Sequence, residues 1–458
     1  MVRLFHVYYP VRTLVLLAGE AVAVCLSFLA ATLIQFGPDS YLVLNYEEGL
    51  YKILAIAVLV LICSYYFDLY APQLPLSGGE TSFRLLLVLG TSSFLLAAIG
   101  FYFPEFMLGK RADLFGVVIL TGTLLLWRGA YSWLLRRPFL SERVYVLGSG
   151  DRARRVVDEI RTRKDLGMEV VGWAGAFGNG GSDREDLAET VRGLVGKSNV
   201  DRVVVALSDR RNTLPVRELL DLRLEAIQIE DVSSLLEKIS GKIEIENLYP
   251  SSLIYSEGFR LGSGFLFVRR CVSFVIAAVA LLLCLPVIPI IALAVKFSSD
   301  GPILFRQQRV GRRGEAFVLY KFRTMRQDAE AQTGAVWAGK DDPRVTGVGK
   351  FLRATRLDEI PQLWNVLIGE MGFVGPRPER PEFVNWLADN IPYYNLRHII
   401  RPGITGWAQV RYRYGASLEE TREKVQYDLY YIKHMSLSLD LLITFETIKT
   451  ILLRRGSQ

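Results

Sequence analysis

The sequence contains few of the side chains that build metal centres or disulfide frameworks. Its 458 residues include three histidines, so a histidine-rich metal site is not expected. The four cysteines all lie inside apolar runs and lack the spacing of a zinc finger or a disulfide framework. They are Cys25, Cys63, Cys271 and Cys284. We therefore interpret the cysteines as small core or lipid-facing residues.

Apolar residues, in contrast, are abundant. They make up 51% of the chain, which is high for a soluble protein and indicates membrane segments. A chain of 458 residues is also too long for one ordinary domain, so two or three are expected. The net charge of +7 is modest, and the headgroups of an anionic lipid bilayer explain it as well as nucleic acid would. We expect a lipid bilayer as a partner, and no nucleic acid.

Four apolar runs lie in residues 1–140, and each approaches the roughly 20 residues needed to cross a bilayer. They are Thr13–Phe36, Tyr51–Phe67, Leu85–Phe103 and Asp113–Leu135. A cleaved signal peptide is not expected, because the first run is long and three more follow it. The sequence therefore predicts a four-helix transmembrane bundle.

The charges around these runs predict their orientation. Basic residues precede the first run and cluster at the end of the fourth, as Arg3, Arg12, Arg128, Arg136 and Arg137. The loop after the first run is acidic, with Asp39, Glu47 and Glu48. By the positive-inside rule both ends of the bundle face the cytoplasm, although Lys110 and Arg111 would then lie outside.

Residues 141–245 alternate between short apolar runs and helical patterns, which is typical of a parallel Rossmann-like α/β sheet. The predicted strands are Val144–Gly148, Met168–Trp173, Arg202–Leu207 and Ala226–Asp231. One predicted helix, Asp151–Arg163, has an apolar face of Ala153, Val156, Val157 and Ile160. A second helix opens at Pro215, Phe177–Ser182 is expected to be a Gly-rich surface loop, and residues 246–267 to be a linker.

The first turn of this module, Gly148–Ala153, is similar to a dinucleotide-binding fingerprint. The Gly-x-Gly pair fits, and alanine is allowed at the third position. However, the second strand ends at Trp173-Ala174, where a ribose-binding acid is needed, and no acid follows before Asp183. We favour a structural or regulatory module, and nucleotide binding stays open.

A fifth apolar run, Val268–Val295, is long enough to span a bilayer. Pro286 and Pro289 would each remove a backbone hydrogen bond and bend such a helix sharply. Both ends of the run carry the charge of a cytoplasmic flank, through Arg269, Arg270 and Lys296. These features favour a re-entrant hairpin over a spanning helix, which remains the alternative.

The C-terminal region carries an adjacent carboxylate pair, Asp358-Glu359, close to Arg353 and Arg356. Two acids at a helix start ordinarily stabilise the helix N-terminus. Beside cations they also stay ionised, and an ionised aspartate can attack phosphorus while a neighbouring glutamate holds Mg²⁺. The Pro376–Pro378 turn, with Arg377 at its centre, strengthens the catalytic interpretation.

A basic cluster follows the fifth run and consists of Arg306, Arg309, Arg312, Arg313, Lys321 and Arg323. Such a cluster can simply contact anionic lipid, at about 1 kcal/mol per residue near the surface. Lys321 and Arg323 belong to YKFRTM, a short β-like run that would fix their positions. We therefore expect Lys321 and Arg323 to be functional, as residues that bind substrate phosphate.

Four motifs resemble the catalytic domain of the bacterial sugar transferases, the monotopic phosphoglycosyl transferases. They are VGRRGEAFVLYKFRTM, DPRVTGVGKFLRATRLDEIPQLWNVLIGEMGFVGPRPE, RPGITGWAQV and YDLYYIK. The resemblance covers Val268–Arg455 almost continuously, and the preceding bundle and Rossmann-like insert resemble the large form of the family. AVWAGKDDPRVT and RYRYGAS resemble its exosortase-associated exopolysaccharide subgroup.

The resemblance implies an α/β catalytic domain, 268–458, with a re-entrant membrane helix at 268–297 that breaks at Pro286. It implies transfer of a sugar-1-phosphate from a UDP-sugar to polyprenyl (undecaprenyl) phosphate, with UMP released, at the cytoplasmic face of the bacterial inner membrane. Asp358 matches the nucleophile, and Glu359 matches its Mg²⁺-associated partner. Basic phosphate-binding positions are matched by Lys321, Arg353 and Arg377.

The chain departs from the family pattern at the start of the fifth run. Arg270 is expected to anchor this helix, but Ser273 stands where family members often carry a partner aspartate. Leu285 replaces a common serine before Pro286. Neither change touches the Asp358-Glu359 pair, so we do not expect an inactive relative.

Two further features leave alternatives open. The amphipathic run Leu439–Arg455 is typical of an interfacial helix, with structural packing as the alternative. Its apolar side would comprise Leu441, Leu442, Phe445, Ile448 and Leu452. An interfacial aromatic belt or a core position is open for Trp407, Tyr427, Tyr430 and Tyr431.

Competing functions are a non-catalytic scaffold that regulates polysaccharide assembly and, less favoured, a dehydratase-like oxidoreductase built on the Gly148 turn. The latter lacks a ribose-binding acid and a Tyr-x-x-x-Lys pair. A homodimer formed through the soluble modules is one hypothesis for the assembly.

Overall fold

The computed structural model describes most of the chain. The described residues are 1–70, 78–135, 141–148, 150–173, 191, 193, 200–207, 214–248, 253, 258–259, 262–327, 329, 342–412 and 417–453. Outside them lie the predicted Gly-rich loop 177–182, the flanking Arg136 and Arg137, and Asp183. Ala174, the subgroup segments 335–341 and 413–416, and residues 454–458 also lie outside. The chain divides into two compact units, Met1–Val2 with Tyr8–Leu235 and Arg3–Val7 with Leu236–Gln458.

The first unit contains long apolar helices. Two short strands, β1 (Val2–Leu4) and β2 (Val7–Tyr9), precede α1 (Val11–Phe36), α2 (Ser40–Asn45), α3 (Gly49–Tyr66), α4 (Gly78–Tyr102) and α5 (Lys110–Leu134). By length and composition α1, α3, α4 and α5 could each cross a membrane. Each predicted apolar run lies almost wholly within one of these helices.

These helices pack around one apolar core, which includes Val24, Phe28, Val60, Val88 and Leu120. Inside this group, Glu20 on α1 forms an ion pair with Arg128 on α5 at 2.6 Å, and the Tyr70 hydroxyl donates to Glu20. A buried charge in apolar surroundings is stable only when it is paired. Arg128, predicted as a flanking charge, therefore helps to join α1 to α5.

The rest of the first unit contains the predicted parallel sheet. Its strands β3 (Glu142–Leu147), β4 (Met168–Trp173), β5 (Arg202–Val205) and β6 (Gln228–Asp231) run in the order β4-β3-β5-β6. Helices α6 (Asp151–Thr162) and α7 (Val216–Leu224) connect them. The apolar face predicted for α6 is confirmed, because its buried residues are Ala153, Val156, Val157 and Ile160.

The first turn of this module has a structural reason for its glycine. Gly148 has φ +138°, and a Cβ there would lie 2.7 Å from the backbone of Ala206. The indole of Trp173, at the end of β4, donates a 2.8 Å hydrogen bond to the Gly148 carbonyl. The close approach of strand ends explains the glycine without a ligand, so the structural interpretation is favoured. Nucleotide binding stays untested.

After α8 (Val232–Ser240), the fifth apolar run is divided into two helices. The run forms α9 (Ser263–Cys284) and α10 (Ile288–Ser298), with Pro286 between them and Pro289 in the first turn of α10. Both halves contribute to one core. Ala277 of α9 and Ile291 and Val295 of α10 pack with Phe317, Leu319, Phe322, Leu352, Ile360, Leu363, Val366 and Met371.

That core belongs to a compact α/β arrangement. An antiparallel hairpin, β7 (Leu304–Val310) and β8 (Ala316–Phe322), is followed by α11 (Gly347–Thr355) and α12 (Gln362–Ile368). Strands β9 (Gly372–Val374) and β10 (Gly403–Thr405) pair in parallel, and α13 (Pro381–Asn390) lies between them in the sequence. The last helices are α14 (Trp407–Arg411), α15 (Leu418–Lys433) and α16 (Leu437–Leu452).

The aromatic side chains considered for an interfacial belt are core residues. Tyr427, Tyr430, Tyr431 and Trp407 are all buried, and Trp407 stacks on Tyr430 with ring centroids 6.0 Å apart. In α16, Leu439 and Ile443 are buried, whereas Leu441, Ile448 and Leu452 are exposed along one face. This helix therefore packs on the core through one face and exposes apolar side chains on another face.

Two arginines fix the start of α9, in a way that the sequence did not indicate. The buried Arg269 pairs with Asp440 at 2.7 Å and also donates to the Tyr431 hydroxyl and the Val374 carbonyl. Arg270, the predicted anchor, donates to the carbonyls of Val366 and Leu367 at the end of α12. The helix is thus anchored without an acid at position 273.

We predict that Asp440→Asn strongly destabilises the protein. The change leaves the buried Arg269 guanidinium without its counter-ion, at a cost of about 3–5 kcal/mol. Thermal unfolding of the detergent-solubilised protein measures the effect. Asp389→Asn, at an exposed position of α13, is the matched control. Equal unfolding temperatures of the two variants would contradict the anchoring role.

Candidate active site

The carboxylate pair is positioned by a short turn between two helices. The Thr346 side chain caps α11 by accepting from the Gly349 backbone N–H at 2.9 Å. Helix α11 ends at Thr355 and is followed by Arg356, which has φ +59°, and Leu357–Glu359 form a single 3-10 turn before α12. Asp358 and Glu359 are 6% and 8% exposed, so two adjacent acids are buried together.

The close packing of α11 against the end of β8 brings a lysine to this turn. A Cβ at Gly349 would lie 2.0 Å from the Thr324 carbonyl oxygen, so only glycine permits the observed approach. Strand β8 is antiparallel to β7 and carries Lys321, as predicted from the β-like run. Lys321 therefore reaches the carboxylates from a neighbouring element.

Glu359 takes most of the positive charge. Its Oε1 lies 3.1 Å from Lys321 Nζ, 3.0 Å from Arg377 Nη2 and 3.7 Å from Arg356 Nη1. Burial alone would raise the pKa of Glu359, but Lys321, Arg377 and Arg356 outweigh it and hold this pKa well below its usual range. Glu359 is therefore ionised throughout the ordinary pH range.

Asp358 is less well compensated. Lys321 Nζ lies 3.9 Å from its Oδ2, and its buried Oδ1 has no hydrogen-bond partner among the described residues. Burial raises the pKa of Asp358, and the neighbouring Glu359 charge raises it further against the opposing effects of Lys321 and Arg377. An oxygen that neither a hydrogen bond nor a close cation occupies is well suited to accept an electrophile.

The other predicted phosphate-binding residues differ in their surroundings. Arg377 contacts Glu359 directly, and the Arg353 Nε donates to the Thr324 hydroxyl at 3.0 Å while its charge acts on Asp358. Arg323 is 6% exposed and donates to the carbonyls of Val295 and Ser299 at the end of α10 and to the Pro302 carbonyl beyond it. Arg323 thus stabilises a helix C-terminus, and this geometry does not favour its predicted phosphate role.

Sequence reasoning missed the residues behind the Pro376–Pro378 turn. The buried Arg397 pairs with Asp428 at 2.9 Å and donates at the same distance to the Arg377 carbonyl. Burial raises the pKa of Asp428 to about 6, despite the nearby Arg397. The motif YDLYYIK contained this aspartate, but its partner 31 residues earlier lacked a sequence signal.

A second missed residue is Asn365, which is fully buried within α12. Its side chain accepts from the Tyr320 backbone N–H and donates to the Val318 carbonyl and to Glu370. An asparagine within the apolar stretch LWNVLI was the only available signal. Its bonds fix β8, and hence Lys321, relative to the carboxylate turn.

The donor set permits a magnesium ion only together with other ligands. No group of three or more His, Cys, Asp or Glu side chains suitable for a metal occurs among the described residues. Mg²⁺ commonly binds one or two carboxylates and takes its remaining ligands from water and substrate phosphates. The uncompensated buried oxygen of Asp358 and the carboxylate of Glu359 fit that pattern.

Comparison with known proteins gives consistent matches. The family model described as "Bacterial sugar transferase" matches residues 265–454. Over 393 residues the chain is 34% identical to a UDP-glucose:undecaprenyl-phosphate glucose-1-phosphate transferase of Klebsiella pneumoniae, covering 81% of this chain and 82% of the relative. An Escherichia coli protein of the same name is 35% identical, with 69% of each chain covered.

A third relative, from Aeromonas hydrophila, is named UDP-N-acetylgalactosamine-undecaprenyl-phosphate N-acetylgalactosaminephosphotransferase. It is 42% identical over 243 residues, which cover 53% of this chain. The match spans only 56% of that relative's length. The similarity to the Klebsiella protein, by contrast, extends over most of both chains.

The electrostatics of the pair predict opposite effects of two substitutions on stability. Glu359→Gln leaves Lys321, Arg377 and Arg356 without their shared carboxylate, which costs about 1–3 kcal/mol because these cations are partly exposed. Asp358→Asn removes a carboxylate whose pKa is raised by folding. Its ionisation opposes folding, so the variant equals or exceeds the wild type in stability.

The stability difference between Asp358→Asn and the wild type depends on pH, because the pKa of Asp358 is raised in the folded protein. The relative gain of Asp358→Asn is absent below the unfolded aspartate pKa and complete once the pH has risen through the raised folded pKa. Thermal unfolding between about pH 4 and pH 8 measures both variants. A loss of stability in Asp358→Asn as large as that in Glu359→Gln would contradict the unequal compensation.

Proposed function

The chain belongs to the bacterial sugar transferase family, and from this premise we propose that it transfers a sugar-1-phosphate from a UDP-sugar to polyprenyl (undecaprenyl) phosphate. The observation that carries the proposal is the buried Asp358-Glu359 pair, in which cations hold Glu359 and leave Asp358 Oδ1 without a partner. The product would be a polyprenyl-diphospho-sugar, the starting unit of an exopolysaccharide or capsule. Membership in the exosortase-associated subgroup stays a prediction.

The first step is an attack by Asp358 on the sugar-bearing phosphorus. A bond forms between the carboxylate oxygen and this phosphorus, while the bond to the bridging oxygen breaks and UMP leaves with that oxygen. Lys321, Arg377 and Arg353 surround the pair and would neutralise the charge that develops on the phosphate oxygens.

In the second step an oxygen of polyprenyl phosphate attacks the same phosphorus. The aspartyl–phosphorus bond breaks and the Asp358 carboxylate is regenerated, so neither a redox partner nor a net proton is required. Glu359 stays ionised between its cations and keeps them close to the reacting phosphate. Arg397 acts behind the site, because its bond to the Arg377 carbonyl holds the turn that presents Arg377.

We propose Mg²⁺ as the cofactor, held by Glu359 with Asp358 beside it. When bound, it would supply additional neutralisation of the diphosphate charge. The residues that surround the pair are mostly cationic, so the ion would depend on the substrate's own phosphates for its remaining ligands.

The same proposal includes a re-entrant course for α9 and α10. Both halves of the broken helix pack on the core that carries the carboxylate turn, and Arg323 fixes the end of α10 beside that core. This packing supports entry and exit at one membrane face, the cytoplasmic face of the inner membrane, where nucleotide sugars are present. The homodimer remains a hypothesis.

The reaction is tested with the full-length protein in nanodiscs that contain polyprenyl phosphate, and with Mg²⁺. UDP-glucose, UDP-galactose and UDP-N-acetylgalactosamine, each labelled at the sugar-bearing phosphate, are compared by UMP release and by label on lipid. When polyprenyl phosphate is left out, one UMP molecule is expected to be released for each protein chain that becomes labelled. Asp358→Asn is expected to lose protein label and turnover, by at least about a thousandfold.

Lys350→Met removes an exposed cation on α11 and serves as the control, with activity retained. No UMP release with any sugar nucleotide would favour the non-catalytic scaffold, and equal release by Asp358→Asn would contradict the proposed role of Asp358. Turnover without protein label would keep the transfer reaction and exclude the covalent intermediate.

Topology is tested separately with single cysteines in a chain whose native cysteines are replaced by serine. Gly262→Cys precedes α9 and Ser299→Cys follows α10. With a re-entrant helix, a membrane-impermeant maleimide labels both from the cytoplasmic face of inverted vesicles. Labelling from opposite faces would show a spanning helix, and Pro286→Ala measures how far the break depends on that proline.

A further inference from the structure

A second basic site lies beside the second turn of α9. Its pocket is lined by Leu266, Arg269, Arg270, Ser273, Arg312, Met371, Gly372, Ile400 and Arg401. None of these residues belongs to the group around Asp358-Glu359. Four of the nine are arginines and none is acidic, so the walls carry a strong excess of positive charge.

The four arginines come from separate parts of the second unit, which shows that the fold brings them together. Arg269 and Arg270 belong to α9, Arg312 to the turn between β7 and β8, and Arg401 precedes β10. The Arg312 Nε donates to the Ile399 carbonyl at 3.2 Å, which fixes that side chain beside Arg401.

Only part of this charge is compensated within the protein. Arg269 pairs with Asp440, but Arg270 donates to neutral carbonyls, and Arg312 does so as well. Within the described part of the chain, the Arg401 guanidinium makes no hydrogen bond or ion pair. Its burial, together with Arg270, Arg312 and Arg269, lowers the pKa of Arg401. Arginines held this close together repel one another, and a bound anion would relieve that repulsion. The cluster therefore indicates an anion-binding site.

The remaining walls suit a phosphate at the end of an apolar group. Ser273 is buried and lines the pocket, together with the apolar residues Leu266, Met371 and Ile400. Phe267 and Val268, which lie between Leu266 and Arg269 on α9, are 70% and 46% exposed, so the pocket adjoins an apolar surface. Guanidinium groups bind phosphate oxygens in pairs, with strong, charge-assisted hydrogen bonds.

We propose that this pocket binds a phosphate group as an accessory site, separate from the carboxylate pair. A phospholipid headgroup and free phosphate share the required chemistry. The adjoining exposed face of α9 favours the headgroup. Bound there, an anionic lipid would hold the start of the broken helix at a fixed depth in the membrane surface.

The test uses the full-length protein in a zwitterionic detergent, without sugar nucleotide. Dioctanoyl phosphatidylglycerol, dioctanoyl phosphatidylcholine and inorganic phosphate are titrated at constant ionic strength. Native mass spectrometry gives the stoichiometry, and thermal stabilisation gives the half-saturating concentration. We expect one saturable phosphatidylglycerol molecule, with binding weakened at least about tenfold by Arg401→Gln and by Ser273→Asp.

Two variants serve as matched controls. Arg313→Gln removes an exposed cation one residue from Arg312 and outside the pocket, and Asp358→Asn alters the carboxylate pair, which does not line the pocket. Both are expected to bind as the wild type does. If Arg401→Gln fails to fold, Arg312→Gln takes its place.

The outcomes distinguish a phospholipid headgroup from free phosphate as the ligand of the pocket. Weakened phosphatidylglycerol binding in the pocket variants alone supports a lipid headgroup. Inorganic phosphate that binds as tightly as the lipid, and is lost in the same variants, supports the site with free phosphate as its ligand. No saturable binding, or equal binding by every variant, overturns the proposal. Because no sugar nucleotide is present, this result is independent of the transfer reaction.

Discussion

The candidate active site depends on an unequal distribution of positive charge between two buried acids. Lys321, Arg356 and Arg377 lie around one oxygen of Glu359, whereas Asp358 has the Lys321 ammonium at 3.9 Å from one oxygen and no hydrogen bond to the other. One turn thereby gives two identical functional groups different properties. Glu359 is an ionised carboxylate paired with cations, whereas Asp358 keeps an oxygen without a hydrogen-bond partner, and the proposed reaction uses Asp358 as the nucleophile.

Much of the surrounding architecture maintains this unequal distribution. Asn365 fixes β8 and so the lysine, Gly349 permits α11 to approach Thr324, and Arg397 holds the backbone of Arg377. None of these three contacts substrate in the proposed reaction. Each fixes the position of a charged group, and catalysis of phosphoryl transfer depends mainly on such positioning of charge.

The sequence predicted the elements whose patterns are local. The apolar face of α6, the strand that carries Lys321 and the proline break in the fifth apolar run follow from periodicity and residue type within a few turns of chain. The resemblance to a family supplied the roles of Asp358 and Glu359, which a pair of acids at a helix start does not specify alone.

The contacts of individual arginines could not be predicted in this way. Arg323 and Arg270 both satisfy carbonyls at helix ends, and those ends become neighbours only after the chain has folded. The pairs Arg269–Asp440 and Arg397–Asp428 join residues far apart in sequence. Likewise, the tyrosines of α15 have the amphipathic character of interfacial residues, and only their burial in the folded chain, with Tyr430 stacked on Trp407, shows that they are core.

The broken helix also constrains the order in which the protein can mature. Ala277, Ile291 and Val295 fill the same core as Phe322, Leu352 and Val366, so the α/β region has no complete interior until α9 and α10 are in place. A version trimmed of these helices to gain solubility would expose an apolar surface directly behind the carboxylate turn. Folding of the catalytic region is therefore coupled to the placement of these two apolar helices.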